Sequence, residues 1–500
     1  MMLIKGLSKK IINLPYFEYG VLTLIVVMAL IVRLYKIDSP IADWHSWRQA
    51  DTSSVSRTFV KDGINLLYPQ YHDLSSTQTS YENPRGLRYV EFPVFNAAHA
   101  LLYKLYPNWS LEMWGRLLSV LFSLVSVVMM FLLGRRFFDL PAQAGSAGPD
   151  SIGVGGLLAA FFFAFLPFNI YFSRVILPEP MAVAFILVSL WFFIRWIDGK
   201  WAINIFVSAF FFAMALLLKP YIGFYALPMV YLAVVKFGLV GWLKQPKLWI
   251  FLSLSLIPFL SWRIWMNQIT NLVGIPHWQW AFNGDNIRFR PAWWYWIFSA
   301  RLGQLILGIG AVLPFLFGMV NKAKAFPYIV HIFVASQILY MTVVATASVR
   351  HDYYQTLIIP AVCLSLAYGT LLLWNLKEFN KFLTRGILIT SILIGFALSA
   401  YQVKEYYKIN HPEIITAGAA VQRLTPPDAR IIAPYNGDTA FLYQTNRNGW
   451  PFVTLPMEYM IKRLGAEYYV SVNFDKQTQE VMEQYKVLEK TDQYVIVKLF

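Results

Sequence analysis

Carboxylates held beside fixed cations can take a proton from an attacking hydroxyl and steady charge on a departing phosphate. The chain carries such a set early on. Asp43-Trp44-His45-Ser46-Trp47-Arg48-Gln49-Ala50-Asp51 follows the first apolar run. On a helix Arg48 and Asp51 share a face at spacing three, and the plainest reading of that pair is a local salt bridge. Further on, Tyr89-Val90-Glu91-Phe92-Pro93 sets a lone acid among apolar residues. An acid in such surroundings can have a raised pKa and serve as a base or a metal ligand. Pro93 holds the residue before it extended, and residues 96–106 then read as a helix lying on a membrane surface.

Cations recur at matching depth. Arg116, Lys219, Arg263 and Arg301 fall in or at the ends of apolar runs. Arg174 and Glu179 share one loop, and Arg350, His351 and Asp352 another. Charge at membrane depth is costly and marks function, although any one of these residues could simply snorkel to headgroups. As a set they suit a lipid phosphate, whose oxygens match the guanidinium fork.

These residues need a membrane to position them. Of 500 residues 57% are apolar and 14% charged, a composition that only lipid can cover. Apolar runs at 20–35, 113–133, 152–170, 181–197, 203–218, 221–235, 249–266, 293–320, 328–345, 354–374 and 387–401 predict about eleven spanning helices. The pair flanking Lys219-Pro220 also admits a single broken helix. The first run follows a basic stretch (Lys5, Lys9, Lys10) without a small-residue cleavage site and reads as a retained anchor. A net charge of +15 would suggest nucleic acid in a soluble chain, but no aromatic-basic nucleic-acid module is present. A single cysteine, Cys363, excludes an internal disulfide and a thiolate zinc site.

Basic loops fix the expected direction. Arg135/Arg136, Arg195/Lys200, Lys236/Lys244/Lys247, Lys322/Lys324 and Lys377/Lys381/Arg385 all fall on the N-terminal side, which the positive-inside rule assigns to the cytoplasm. Two segments then face outward: the loop 38–111 and everything after about residue 403. The fold class expected is a polytopic α-helical membrane protein with a small C-terminal α/β domain. The division lies between 1–402 and 403–500. In the tail, helices are expected at 412–424, 456–464 and 476–485. A strand is expected at 430–433, another at 468–472, and a hairpin over 485–499. No phosphate-binding glycine loop is present there, and docking rather than catalysis is the expected role.

The order of these features resembles the GT-C superfamily of membrane glycosyltransferases, in the bacterial branch of protein O-mannosyltransferases and lipid A aminoarabinose transferases. The resemblance covers roughly residues 20–400. It rests on the acidic stretch from Asp43 to Arg57 and Gly63, on Glu91-Phe92-Pro93, on Arg174-Val175-Ile176-Leu177-Pro178-Glu179-Pro180, and on Arg350-His351-Asp352-Tyr353-Tyr354. It implies transfer of a sugar from a polyprenyl phosphate to a glycan, lipid or protein acceptor on the periplasmic side of the inner membrane, with inversion. The family's base is an aspartate in the first loop. Counting forward from the first helix favours Asp43, while counting back from Gly63 makes Asp51 equally defensible. The family's Asp-Glu pair is absent. Glu91 maps to an acid lining the same cavity, and a divalent cation there is the one cofactor left open. Arg350, Arg174 or Lys219 would stabilise the leaving phosphate, and His351 and Tyr353 would orient it. Arg48, His45, Glu179 and Arg301 complete the expected substrate-binding set. The competing expectation is a transporter or flippase of polyprenyl-linked sugars. That reading leaves the long first loop and the tail without a purpose.

Overall fold

The structure, a computed structural model, describes residues 17–75, 83–139, 153–269, 275–323, 325–453 and 455–500. Lys5, Lys9 and Lys10, which mark the expected retained anchor, and Lys324, one of the loop residues that set the expected direction, lie outside the described residues. Among the described residues six helices are long and apolar enough to span a membrane: Leu111–Asp139, Glu179–Ile197, Pro220–Phe237, Pro246–Gln268, Asp352–Trp374 and Lys381–Tyr407. Three shorter apolar helices, Val154–Phe165, Ile203–Leu218 and Ile329–Val343, stand among them, with Phe17–Arg33 at the start. Glu179–Ile197 and Asp352–Trp374 bury 78% and 89% of their apolar windows and form the centre of the bundle. Pro246–Gln268 and Lys381–Tyr407 bury only 17% and 22%, so their Ile257, Ile264 and Leu393 faces are left for lipid.

Two stretches of the bundle have an irregular backbone, and only the second departs from the expected spans. At Lys219 the backbone is extended, and Pro220–Tyr225 follows as a tight turn, so helices Ile203–Leu218 and Ala226–Phe237 are separate elements. Proline cannot continue the first helix and opens the second segment instead. The run at 293–320 is interrupted. Wide π-type turns over Tyr295–Ile306 give way to a break at Gly308 and Ile309, both with positive φ, before Val312–Phe317. Close helix approach accompanies the break. A Cβ on Gly369 would stand 1.8 Å from the Pro314 carbonyl oxygen. Only a small residue allows these two backbones to touch.

The tail forms a five-stranded sheet in the order β2-β1-β3-β5-β4, with β1 Arg430–Ile432, β2 Asn448–Trp450, β3 Tyr468–Ser471, β4 Lys486–Lys490 and β5 Val495–Lys498. β1 is parallel to β2 and β3, and the remaining pairs are antiparallel. Helices at Glu413–Leu424, Met457–Lys462 and Lys476–Gln484 and the closing hairpin stand where the sequence places them. Helix Thr439–Thr445 and strand β2 were not foreseen.

β2 is not a free edge. The first loop pairs with it in parallel at Asp73 and Gly449, through Leu74 N–H to Gly449 O (2.8 Å) and Gly449 N–H to His72 O (2.9 Å). A Cβ on Gly449 would lie 1.7 Å from the Ile431 carbonyl oxygen. Gly449→Ala is therefore expected to cost about 1–3 kcal/mol and to strip hydrogen-exchange protection from the Leu74 amide.

Candidate active site

The first helix of the long loop, Ser46–Asp62, begins without a side-chain cap, and its preceding residue His45 sits at φ 55°. A non-glycine residue in that region is strained unless its surroundings hold it. The opening turns of this helix aim at three acids. Gln49 Nε2 donates to Asp43 Oδ1 (2.7 Å), and Arg48 Nη2 donates to Glu91 Oε1 (2.7 Å). Asp51 takes Arg88 Nη1 on Oδ2 (3.0 Å) and the Thr439 hydroxyl on Oδ1 (2.7 Å). The local Arg48–Asp51 pair suggested by spacing does not form. Each residue has a partner from another segment because the two flank different buried groups.

Asp43 also faces Arg174, whose Nη1 lies 3.7 Å from Oδ2, and that oxygen accepts no hydrogen bond. Arg174 is fully buried, donates to the Lys36 carbonyl and lies over the Tyr407 ring. Beside it Arg116 clamps the carbonyls of Ile37 and Ser39. Glu91 lines a recess of about 10 Å³ with Thr52, Arg88 and Asn96, room for a single water.

Lys219, freed from helical geometry by the break, reaches Glu179 at the start of the central helix Glu179–Ile197 (Nζ to Oε1, 2.5 Å). The ammonium stands 4.4 Å from the Tyr354 ring centroid and 5.4 Å from that of Tyr353. Asp352, fully buried, gathers four side chains. His45 Nε2 and the Tyr406 hydroxyl lie at 2.5 Å, Trp44 Nε1 at 3.1 Å and Arg301 Nη1 at 3.4 Å. His351 packs against Trp47 (5.4 Å between centroids), His45 (5.7 Å) and Tyr353 (5.6 Å).

Asp43, His45, Arg48, Asp51, Glu91, Arg174, Glu179, Lys219, Arg301, His351 and Tyr353 thus gather at the end of the bundle that the tail covers. Arg350 does not: its guanidinium is exposed, 3.9 Å from Asp285. Arg88 and Thr439 join the site without having been singled out, and Asp352, named only with its loop and given no role, is the residue on which four side chains converge. For Asp352 the signal was available, an acid opening a wholly apolar span. Among the described residues no group of three or more His, Cys, Asp or Glu side chains is arranged to hold a metal ion, and Glu91 Oε1 is committed to Arg48. Charges at the opposite end pair with each other, Arg135 with Glu18 (2.8 Å) and Arg136 with Asp198 (2.7 Å).

Burial alone would raise the Glu91 carboxyl, but Arg48, with Arg88 and Lys219 beyond, holds it below the usual range. The raised value expected from its apolar neighbours is thereby reversed. Burial pushes the His351 imidazole down to about 3, so it is neutral. Where the tail meets the first loop, burial pushes Asp73 and Asp438 each up to about 6. Asp438 accepts from Ala440 N–H and from the Ser46 hydroxyl. A carboxyl whose folded value is raised contributes most stability below its unfolded value, and that contribution is lost as pH climbs to its folded value. The contact between tail and loop is therefore expected to be firmer at pH 4 than at pH 7. Asp438→Asn should flatten part of that slope in thermal unfolding measured across the range.

No known family profile matches the chain, and neither does any curated sequence. Solved structures do. The chain is similar to ArnT from Cupriavidus metallidurans, bound to undecaprenyl phosphate (TM-score 0.61, 13% identity) and in the apo state (TM-score 0.61, 12% identity). Both matches cover 96% of this chain and 98% of the other. It is also similar to the arabinofuranosyltransferase AftD from Mycobacteria, with a TM-score of 0.50 and 11% identity over 90% of this chain and 36% of that one. Identities this low speak for the fold alone: the chain shares the fold of ArnT, a polytopic helical bundle followed by a small sheet, the fold class the sequence led one to expect.

Proposed function

We propose that this chain is a GT-C membrane glycosyltransferase that moves a sugar from a polyprenyl-phosphate carrier to an acceptor on the outer side of the membrane, with inversion. The carrying observation is the gathering of Arg48–Glu91, Lys219–Glu179 and Asp43–Arg174 at the tail-covered end of the bundle. A cavity of about 280 Å³ lies close by, between Tyr295–Ile306 and Ile329–Val343, walled by Phe298, Leu302, Phe315 and Met341. Its lining suits an isoprenoid tail, and Arg301 stands on the same helical segment as Phe298 and Leu302. The bound undecaprenyl phosphate of the ArnT structure supports a lipid of that class. The positive-inside reading supports the outward direction.

Of the three candidate acids, Asp43 best fits the base. Its Oδ2 accepts no hydrogen bond, whereas both oxygens of Asp51 are engaged and Glu91 is held by Arg48. Asp43 would accept the proton of the acceptor hydroxyl while that hydroxyl's oxygen forms the bond to the anomeric carbon. The bond from that carbon to the phosphate oxygen breaks, and its electron pair leaves with the phosphate. Lys219 and Arg48 would stabilise that charge, and Glu91 would fix Arg48 and face the sugar. The test is transfer of radiolabelled sugar from polyprenyl phosphate by the full chain in membranes. Asp43→Asn is expected to lose at least about 100-fold, and Asp51→Asn far less. Undiminished transfer in Asp43→Asn would remove it as the base. Translocation of the lipid-linked sugar with no transfer by the unaltered chain would overturn the enzyme itself.

A further inference from the structure

Asp352 holds one imidazole in the attitude of a proton carrier. A carboxylate that serves Trp44, Arg301 and Tyr406 as an acceptor accepts from His45 too, which fixes a proton on Nε2 of that ring. The other nitrogen, Nδ1, has no hydrogen-bond partner among the described residues and caps no N–H of the helix that follows. Nor is it enclosed: Nδ1 of His72, His99 and His331 is buried without a partner, whereas the His45 side chain is 11% exposed. A buried acid behind the ring and an open nitrogen in front are the two parts of an acid–base dyad. The lipid end of the proposed site lies on the same side. Arg301 shares Asp352 with His45 and stands on the segment Tyr295–Ile306 that walls the apolar cavity. The Tyr353 ring, 5.4 Å from the Lys219 ammonium, meets the His45 ring at 5.2 Å. The titratable and charged groups around His45 are Asp352, His351 and Tyr353, Asp438 from the tail, and Arg301 and Tyr406 beyond Asp352.

From this arrangement we infer that His45 is the general acid of the transfer, giving its Nδ1 proton to the phosphate oxygen that leaves the anomeric carbon. The inference rests on the glycosyltransferase reading and deepens it. As the carbon–oxygen bond breaks, the oxygen keeps the bonding pair and takes the proton from Nδ1. The ring is left neutral and still donates to Asp352 through Nε2. The acceptor's own proton goes to Asp43, so one proton is taken up and one is given in each turnover, and exchange with water restores both groups. Imidazoles and phosphate monoesters both titrate near neutrality, the match that makes a general acid effective. Lys219 and Arg48 then face the charge that stays on the other phosphate oxygens.

A pair of donors tests this, one with the ordinary bridging oxygen and one with sulfur in its place, since sulfur leaves without needing a proton. His45→Gln keeps an N–H for Asp352 but has no proton to give. In membranes holding the full chain, that variant should transfer from the oxygen donor about 100-fold more slowly, with kcat lowered and KM little changed. From the sulfur donor it should stay within about threefold of the unaltered chain. If the variant folds poorly, the unaltered chain carries the same test. Its kcat with the oxygen donor should fall as the solution turns alkaline, and with the sulfur donor that fall should vanish. Equal slowing of the variant with both donors, or none with the oxygen donor, overturns the inference and leaves His45 a ligand of Asp352 only. One pH profile shared by both donors overturns it as well. No transfer from either donor by the unaltered chain strikes the glycosyltransferase reading, and the inference falls with it.

Discussion

Asp352→Ala is expected to abolish transfer, lowering it by at least about 1,000-fold, and to destabilise the chain by about 3–5 kcal/mol. The carboxylate is fully buried and serves four donors that reach it from three places. Trp44 and His45 come from the first loop, Arg301 from the interrupted span and Tyr406 from the connection into the tail. Removing it strands a buried phenol and an imidazole and leaves a guanidinium without its counter-charge, each a costly condition. It also releases His45, whose left-handed backbone is tied to the partner its ring finds there. His45 immediately precedes the helix that carries Arg48 and Gln49, so the grip on Glu91 and Asp43 loosens with it. Asp352→Asn offers one oxygen instead of two and turns an N–H₂ toward the donors. It should fold better than the alanine variant yet transfer almost as poorly. Thermal unfolding and sugar transfer, measured on both variants, check this. Wild-type transfer by Asp352→Ala would show that the four-way junction is incidental.

Much of the scaffold was legible because lipid makes a simple demand: long apolar runs, broken by loops whose basic residues gather on one side. The places where reading faltered share a cause. The run at 293–320 breaks at Gly308 because of a backbone event that a hydropathy window averages away, whereas helix Ile203–Leu218 ends where its apolar run does. In the tail, β2 has three residues and depends on the first loop as well as on β1, so no local period announces it. The site was legible as a set of residues and illegible as a set of pairs. Arg48 finds Glu91 across 43 residues, Lys219 finds Glu179 across 40, and Thr439 reaches Asp51 across 388. Spacing along a helix proposed Arg48 with Asp51, an exposed-pair rule worth about 0.2–0.5 kcal/mol. Burial overrides it, since a desolvated charge takes whichever counter-charge shares its cavity. Thr439 carried no signal at all, because a threonine that opens a short helix looks like any other.

The Lys219–Glu179 pair allows structure and chemistry to be separated. Glu179 is fully buried, and its Oε2 has no hydrogen-bond donor, so the carboxylate depends on Lys219 through Oε1. Lys219→Met should strand that charge and cost about 3–5 kcal/mol, with transfer lost as a matter of course. Glu179→Gln leaves an ammonium against the rings of Tyr353 and Tyr354, which soften its loss, and should cost less. In the double variant Lys219→Met, Glu179→Gln neither charge remains, and stability should return to within about 1 kcal/mol of the unaltered chain. Transfer should not return. If Lys219 steadies the leaving phosphate, its charge acts in the transition state, and the double variant should remain at least about 100-fold slow. Its affinity for undecaprenyl phosphate should fall as well. A double variant that regains both stability and transfer would make the lysine a counter-ion to Glu179 and nothing more, and Arg48 would then carry the phosphate alone.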